Sequence, residues 1–494
     1  MRRIGHMVGG KDTASFDRVG PVYDPAAGNQ TGEVALASAA EVDDAVAVAR
    51  EAYDEWRHSS LATRTRVLFA VRQLLERRRD EIAAAITAEH GKTLADAAGE
   101  VTRGMECVEY ACGITEALKG GHSSQVSAGV DVHEVHQPLG VVAGITPFNF
   151  PAMVPLWMLP NAVACGNAFV LKPSEKDPSA SLLLAQLWRD AGLPDGVFNV
   201  VQGDAVAVNR LLDHPDVEAV SFVGSTPIAR AIHERATAHG KRVQALGGAK
   251  NHMLVLPDAD LDMAADAAVS AAYGSAGERC MAISVAVTVG EVAEPFLDAV
   301  TKRIDGLRMG PGTDPATQMG PLVTGEHRDR VAGYLDSAAA EGARLVVDGR
   351  GRKVPAEGFF LGPSLVDQVT PTMKVYTDEV FGPVLAVVRA STAEEAIGIV
   401  NANPYGNGTA VFTRDGGAAR RFEQEVSVGM VGVNVPIPVP ISAYSFGGWK
   451  DSLFGDTHVY GAQGVRFYTR TKVVTSRWPA PLSSSVEMSF PTHH

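Results

Sequence analysis

Apolar residues recur at helical spacing through the first third of the chain and fall into short unbroken runs after it. Val42, Ala45, Val46, Ala49 and Ala52 lie three or four apart, behind Ser38 and Glu41 at the spacing of a capping box, which predicts a helix. Val67, Leu68, Val71, Leu74 and Leu75 predict a second, Gly91 fits a helix stop, and a third helix is predicted from about 95 to 118. From residue 139 the pattern changes. Gly140–Ile145, Ala168–Leu171, Val197–Val201 and Ala219–Val223 read as buried strands, with helices predicted from about 152 and over about 178–191. Alternation of this kind predicts a parallel sheet with helices on both faces, and ligands in such sheets bind at the carboxyl ends of the strands. A second α/β segment runs from about 252 to 440, with strands Met253–Leu256 and Ile283–Val289. Near the end, Val465, Phe467, Thr469, Thr471 and Val473 alternate with Arg466, Tyr468, Arg470 and Lys472, which predicts a strand. That strand and a hairpin arm at Val130–Val135 are expected to pair with a partner subunit, making the protein an oligomer.

The remaining 16 or so residues carry no usable motif. The chain has 494 residues, room for two or three domains. A net charge of −13 argues against a general nucleic-acid binder or a protein drawn to anionic membranes. No apolar run reaches the roughly 20 residues that span a bilayer. MRRIGHMVGG carries charge but no apolar stretch, so it predicts no secretory signal, and its Gly5-His6-Met7 run reads as a tag remnant. The four cysteines, Cys107, Cys112, Cys165 and Cys280, have neither metal-site nor disulfide-framework spacing, so no metal is expected and reduced thiols in a cytoplasmic protein are the simpler reading.

Cys280 stands in Gly274-Ser275-Ala276-Gly277-Glu278-Arg279-Cys280-Met281-Ala282, among small residues that let a ligand approach the backbone. A thiolate there is a nucleophile for a carbonyl, although the usual fate of a free cysteine is burial and inertness. The segment resembles the active-site signature of the aldehyde dehydrogenase superfamily. Four other stretches do too, in the family's order and spacing: Pro147-Phe148-Asn149-Phe150-Pro151, Leu171-Lys172-Pro173-Ser174-Glu175, Phe222-Val223-Gly224-Ser225-Thr226 and Glu379-Val380-Phe381-Gly382-Pro383. The likeness runs from near residue 20 to near 478.

The resemblance implies an α/β fold of the aldehyde dehydrogenase kind, two α/β domains with parallel sheets plus a small β arm. It assigns residues 8–120 and 138–250 to an NAD-binding domain, 251–445 to a catalytic domain, and 121–137 and 460–478 to an oligomerisation arm of a homotetramer, a dimer of dimers. Cys280 becomes the nucleophile. The side-chain amide of Asn149 and the N–H of Cys280 meet the developing oxyanion. For the cofactor the resemblance names Phe148, Lys172 and Glu175 (the last two on the adenosine ribose), Gly224 and Ser225 at a helix start facing the pyrophosphate, and Glu379 with Phe381 at the nicotinamide ribose. A carboxylate at Glu175 would repel a 2′-phosphate, which favours NAD over NADP. One glycine usual in the family is Ala229 here, a small change in helix–sheet packing.

A larger departure narrows the reading. Hydrolytic members carry a glutamate in an E-L-G-G run; aligned with Ala245-Leu246-Gly247-Gly248, the glutamate position holds alanine. A methyl group takes no proton, so a thiol such as coenzyme A, rather than water, is expected to finish the reaction. Gly247–His252, Arg279–Ala282, the run from Gly432 to Pro440 and Gly464–Tyr468 resemble the acylating branch that oxidises methylmalonate semialdehyde. Its substrate carries a carboxylate, for which the resemblance names Arg103 and Arg279; Arg279 is also expected to lower the thiol pKa. CoA is a co-substrate, with no motif to mark its site. Two rivals stand beside this: a hydrolytic enzyme using Glu278 or Glu379 as base, and a silent structural relative.

Overall fold

The computed structural model describes residues 1–478. Its first third is helical as the periodicity predicts. Ser38 caps Ala39–Trp56 with the reciprocal Glu41 bond of a capping box, Leu61–Arg77 follows, and Arg79–His90 ends at Gly91. The long helix then runs Leu94–Cys112, with a separate turn at Ile114–Ala117.

The first sheet has eight strands among the described residues. Its centre is parallel: Arg242–Leu246, Val217–Val223, Val141–Ile145, Ala168–Lys172 and Phe198–Val200, side by side in that order. Chain order reverses around Val141–Ile145, whose neighbours are the next strand in sequence on one side and Val217–Val223 on the other. Loops leave such a switch point in opposite directions and open a crevice. Here those loops begin at Thr146-Pro147 and Gly224-Ser225. Beyond Phe198–Val200 the sheet is extended antiparallel by His6–Val8, and His6 Nδ1 accepts from the Gln202 N–H at 3.1 Å. His6 and Met7 thus belong to the sheet.

The second sheet has seven strands, six of them parallel, with Asn251–Val255 and Ile283–Val289 at its centre and Arg344–Val347 antiparallel at one edge. Both sheets carry continuous apolar strands because both faces are covered. No helix of the described residues is long and apolar enough to cross a membrane.

The C-terminal strand differs from its expected start. Val465 and Phe467 belong to the helix Gly461–Phe467, and the strand runs Thr469–Arg477. Two apolar residues two apart satisfy a strand pattern, but here they fill the core beside Phe446 and Val459 from the last turn of a short helix. The strand pairs antiparallel with Val130–Pro138 of the same chain, Thr469 opposite Pro138 through Arg477 opposite Val130. The two stretches expected to reach a partner separately form one three-stranded sheet with His122–Ser127.

Candidate active site

Cys280 follows a backbone that only a tightly held loop would adopt. After the helix Leu261–Tyr273, Ser275, Ala276 and Gly277 have φ of 52°, 52° and 75°. A non-glycine residue in this region costs roughly 1–2 kcal/mol, so the surroundings must hold it. Gly277 cannot be replaced without strain, since a Cβ there would lie 2.2 Å from the Gly382 carbonyl oxygen. Two amides pin the other side of the loop. Asn251 Nδ2 donates to the Cys280 and Ala282 carbonyls, each at 2.9 Å, and Asn407 Nδ2 donates to the Cys280 carbonyl at 3.1 Å. Asn251, first residue of the strand Asn251–Val255, belongs to a run the sequence already marked, whereas Asn407, just ahead of the strand Gly408–Phe412, carries no sequence signal.

Cys280 lies where two cavities meet. The first, about 580 Å³, lies at the switch point, and its walls include Phe148, Asn149, Gly224, Ser225, Glu379 and Phe381. The second, about 440 Å³, is lined among others by Asp96, Arg103, Phe150, Trp157 and Arg279. Of the sequence-chosen residues, only Lys172 and Glu175 line neither. They sit one strand over: Lys172 pairs with Ile145, is buried, and has its Nζ 3.5 Å from Glu175. Burial lowers the Lys172 pKa, and Glu175 opposes that shift.

In the first cavity, Phe148 meets Phe381 edge-on at 5.9 Å, and Phe381 itself has φ of 57°. Ser225 is the N-cap of Thr226–Ala238, Pro227 stands in its first turn, and the Ser225 side chain makes no capping bond. The helix N-terminus therefore faces the cavity with free N–H groups and the positive end of its dipole. Ala229, on the far side of that turn, is fully buried against the sheet. Glu379 Oε1 accepts from the Ala249 N–H at 2.9 Å, and burial pushes its carboxyl up to about 7.

The second cavity carries paired charges. Lys92, 1% exposed, places Nζ 2.8 Å from Glu100 and 2.6 Å from the Asn149 carbonyl, over the Phe150 ring. Glu100 in turn accepts the N–H groups of Ala152 and Met153 at the start of the next helix. This pair fixes the Asn149 turn from behind, and sequence reading missed both members because they act through backbone brought from residue 149 onward. Arg279 Nη2 lies 2.5 Å from Asp96. Arg103 Nη1 holds both Glu106 oxygens at 2.7 and 2.9 Å, and its Nη2 donates to the Val439 and Pro440 carbonyls.

Two expectations need correction. Burial, reinforced by Glu379, pushes the Cys280 thiol up to about 12, against the opposing pull of the Cys280 and Met281 N–H groups and Arg279. Arg279 acts in the expected direction but is outweighed, because removing a thiolate from water costs more than one neighbouring cation returns. Burial raises Cys107, Cys112 and Cys165 as well. What sets Cys280 apart is its position on two cavities, not its acidity. The second correction is one of register. Ala245 is buried among Val220, Phe222 and Ala229, on the sheet face under Thr226–Ala238. Leu246 packs on the opposite face, in the cluster that holds Met281 and against which Cys280 rests. Neighbouring strand residues point to opposite faces, so Leu246, not Ala245, lies on the sheet face that belongs to the cluster against which Cys280 packs. Neither residue is an acid. Glu278, offered as a hidden base, lines neither cavity: it is fully buried, bonded to the Val323 N–H, between His90 and His327 at 3.8 and 3.4 Å, with its carboxyl pushed up to about 8 by burial.

Comparison with known proteins agrees with this geometry. The model of the aldehyde dehydrogenase family matches residues 12–474. The chain is 55% identical over 496 residues to a malonate-semialdehyde dehydrogenase of Pseudomonas aeruginosa, covering 100% of both. It is 47% identical over 474 residues to the human mitochondrial acylating methylmalonate-semialdehyde/malonate-semialdehyde dehydrogenase, covering 95% of this chain and 88% of that one. Among solved structures, the methylmalonate-semialdehyde dehydrogenase of Oceanimonas doudoroffii has a TM-score of 0.96 at 54% identity, over 97% of this chain and 99% of that one. A Sinorhizobium meliloti protein described as a methylmalonate-semialdehyde dehydrogenase, solved with NAD, has a TM-score of 0.96 at 50% identity, over 98% and 99%. With the Cys280 loop, the switch-point cleft and the charged chamber in place, the chain belongs to the aldehyde dehydrogenase family.

Proposed function

We propose that this enzyme oxidises methylmalonate semialdehyde, and malonate semialdehyde, with NAD, and releases the decarboxylated acyl group as propionyl-CoA or acetyl-CoA. The observation that carries the proposal is the chamber beside Cys280, which Arg279 and Arg103 line with it, while the strand residue in the cluster against which Cys280 packs is Leu246 and no acid. Arginine's planar fork suits a substrate carboxylate. The relatives named above support the same substrate class.

The cleft residues fit a dinucleotide: free N–H groups at the start of Thr226–Ala238 suit a pyrophosphate, and Glu379 and Phe381 suit a ribose and a flat ring. Lys172 and Glu175, one strand away, would hold the far ribose. When bound, NAD supplies the acceptor for the hydride lost by the aldehyde carbon. The protein does the rest. Cys280 adds to the aldehyde, Asn149 and the Cys280 N–H steady the oxyanion, and Lys92 keeps Asn149 in place by holding its carbonyl. The resulting Cys280 thioester carries a β-carboxylate; loss of CO₂ leaves an enolate that the same donors stabilise, and after reprotonation CoA thiolate displaces Cys280. No acid faces the thioester from Leu246 to activate water.

The homotetramer and the cytoplasmic setting belong to the same proposal. In support, the outer edge of Thr469–Arg477 is unpaired among the described residues and Val473 on it is 60% exposed.

The test follows NADH absorbance with either semialdehyde and NAD, with and without CoA, and identifies the product by mass. Steady turnover that needs CoA and yields propionyl-CoA or acetyl-CoA is expected; equal turnover without CoA, giving a free acid, would sink the proposal. In the same assay Leu246→Glu is expected to raise CoA-independent turnover, whereas Ala245→Glu is not.

A further inference from the structure

Glu278 stands two residues before Cys280, is fully buried, and takes no part in the proposed chemistry. Its surroundings join the nucleophile loop to the cofactor cleft. Glu278 Oε1 accepts from the Val323 N–H at 3.2 Å and lies 3.4 Å from Nε2 of His327, in the first turn of the helix Gly325–Ala340. That same Nε2 is 2.7 Å from the Phe381 carbonyl oxygen. On the other side of the ring, Arg330 Nη2 is 2.9 Å from His327 Nδ1. A guanidinium only donates, so Nδ1 accepts and the ring hydrogen is on Nε2. One N–H therefore faces two acceptors. Phe381 has the shorter bond and needs it: its φ of 57° lies in the left-handed region, which a residue with a side chain keeps only where its surroundings hold it. His90 closes the cluster from behind. The Lys92 N–H donates to His90 Nδ1, which puts the His90 hydrogen on Nε2 as well, 3.8 Å from Glu278 Oε2. Neither that Nε2 nor that Oε2 has a hydrogen-bond partner among the described residues. A protonated carboxyl accounts for the gap: with Oε1 accepting from Val323, its proton sits on Oε2 and meets another donor. The cations around it, Lys92, Lys176 and Arg330, oppose protonation and are outweighed by burial. Burial also lowers both histidines, His327 to about 4, so both rings are neutral.

Resting on the reading of the switch-point cleft as the NAD site, we propose that His327 is a positioning residue that fixes Phe381 against the cofactor, and that Glu278 is its rival for the same N–H, silent while protonated and active once ionised. A neutral carboxyl is a weak acceptor, whereas a carboxylate draws an N–H more strongly than a carbonyl does. Loss of the Glu278 proton therefore pulls His327 from Phe381 toward the nucleophile loop and offers His90 Nε2 an acceptor where it had none. The strained Phe381 loses its tie, and with it the packing of Phe148, whose ring meets those of Phe381, His327 and His90. Burial pushes the Glu278 carboxyl up to about 8, so the cleft grips the cofactor below that pH and loosens above it. Linkage makes the effect mutual: a bound dinucleotide holds the proton on Glu278.

Two readouts test this without turnover. NADH fluorescence gives the dissociation constant from pH 7 to pH 9. On cofactor-free enzyme over the same range, the part of the protonated-carboxyl infrared band that Glu278→Gln removes follows the Glu278 proton. In wild-type enzyme the dissociation constant is expected to rise about fivefold as that band is lost, and NADH should move the loss of the band to higher pH. Glu278→Gln, which cannot ionise, should bind NADH as wild type does at pH 7 and show no rise. His327→Leu should weaken binding about fivefold at pH 7 and flatten the profile. His327→Gln, which can donate to Phe381 and accept from Arg330, should restore binding at pH 7 to within about twofold of wild type. Lys250 and Glu379 also titrate beside the cleft, at about 8 and about 7. A rise that persists in Glu278→Gln would assign the effect to them and overturn the inference. Wild-type affinity in His327→Leu overturns it as well, and so does a band already absent at pH 7. Failure of wild-type enzyme to bind NADH at any pH overturns the reading of the cleft, and the infrared band still shows whether Glu278 keeps its proton, so the two failures are distinct.

Discussion

The two cavities that meet at Cys280 are built on opposite plans. The switch-point cleft is furnished by backbone: a helix N-terminus without a side-chain cap, glycines, and strand ends. The substrate chamber is furnished by ion pairs held between side chains, one of them fully buried. Backbone donors are preorganised by the fold and survive most substitutions. Side-chain pairs depend on both members, and removing one leaves a charge without a partner. The cleft should therefore tolerate mutation in its stability and the chamber should not.

The largest effect tests the group both cavities share. With the thiol pushed up to about 12, the thiolate fraction rises tenfold per pH unit throughout the working range. Alkylation of Cys280 by iodoacetamide should climb about a thousandfold from pH 7 to 10 without a plateau. Glu379→Gln, on the cleft side, should move the whole profile to lower pH, because it removes a charge that opposes ionisation; Arg279→Gln, on the chamber side, should move it higher. A plateau below about pH 9 would show that the thiol is acidic after all.

Next comes the buried pair. Lys92→Met leaves the buried Glu100 carboxylate without its counter-ion, holding only the Ala152 and Met153 N–H groups, at a cost of about 3–5 kcal/mol, measured as a fall in the urea midpoint. Adding Glu100→Gln should restore part of that loss; a double variant no better than the single one would mean that Lys92 contributes through Asn149 rather than through its carboxylate.

The smallest effect is expected in the cleft. Ser225→Ala should change unfolding free energy by less than about 0.5 kcal/mol, since its side chain caps nothing. The KM for NAD should rise in the same variant, and a stability loss near that of Lys92→Met would break the contrast between the two plans.

Much of this was legible in the chain, for identifiable reasons. Ser38 with Glu41, the spacing of Val67 to Leu75, and Gly91 mark helices through local rules that tertiary packing did not override. The strand runs at 141–145, 168–172 and 217–223 announced a parallel sheet because both faces of each strand are apolar. Val465 and Phe467 misled because two residues cannot distinguish a strand from the last turn of a helix.

Sequence by itself determined the alternation of strands and helices and the family, both of which rest on short-range order along the chain. Only the tertiary structure could decide three further matters. It placed Leu246, rather than Ala245, in the cluster against which Cys280 packs, because that depends on which way a strand is turned. It showed that Lys92 holds the Asn149 carbonyl across 57 positions of chain and that Glu100 holds the Ala152 N–H across 52. It also showed that the thiol is raised, since an adjacent arginine is visible in sequence while the loss of surrounding water is not.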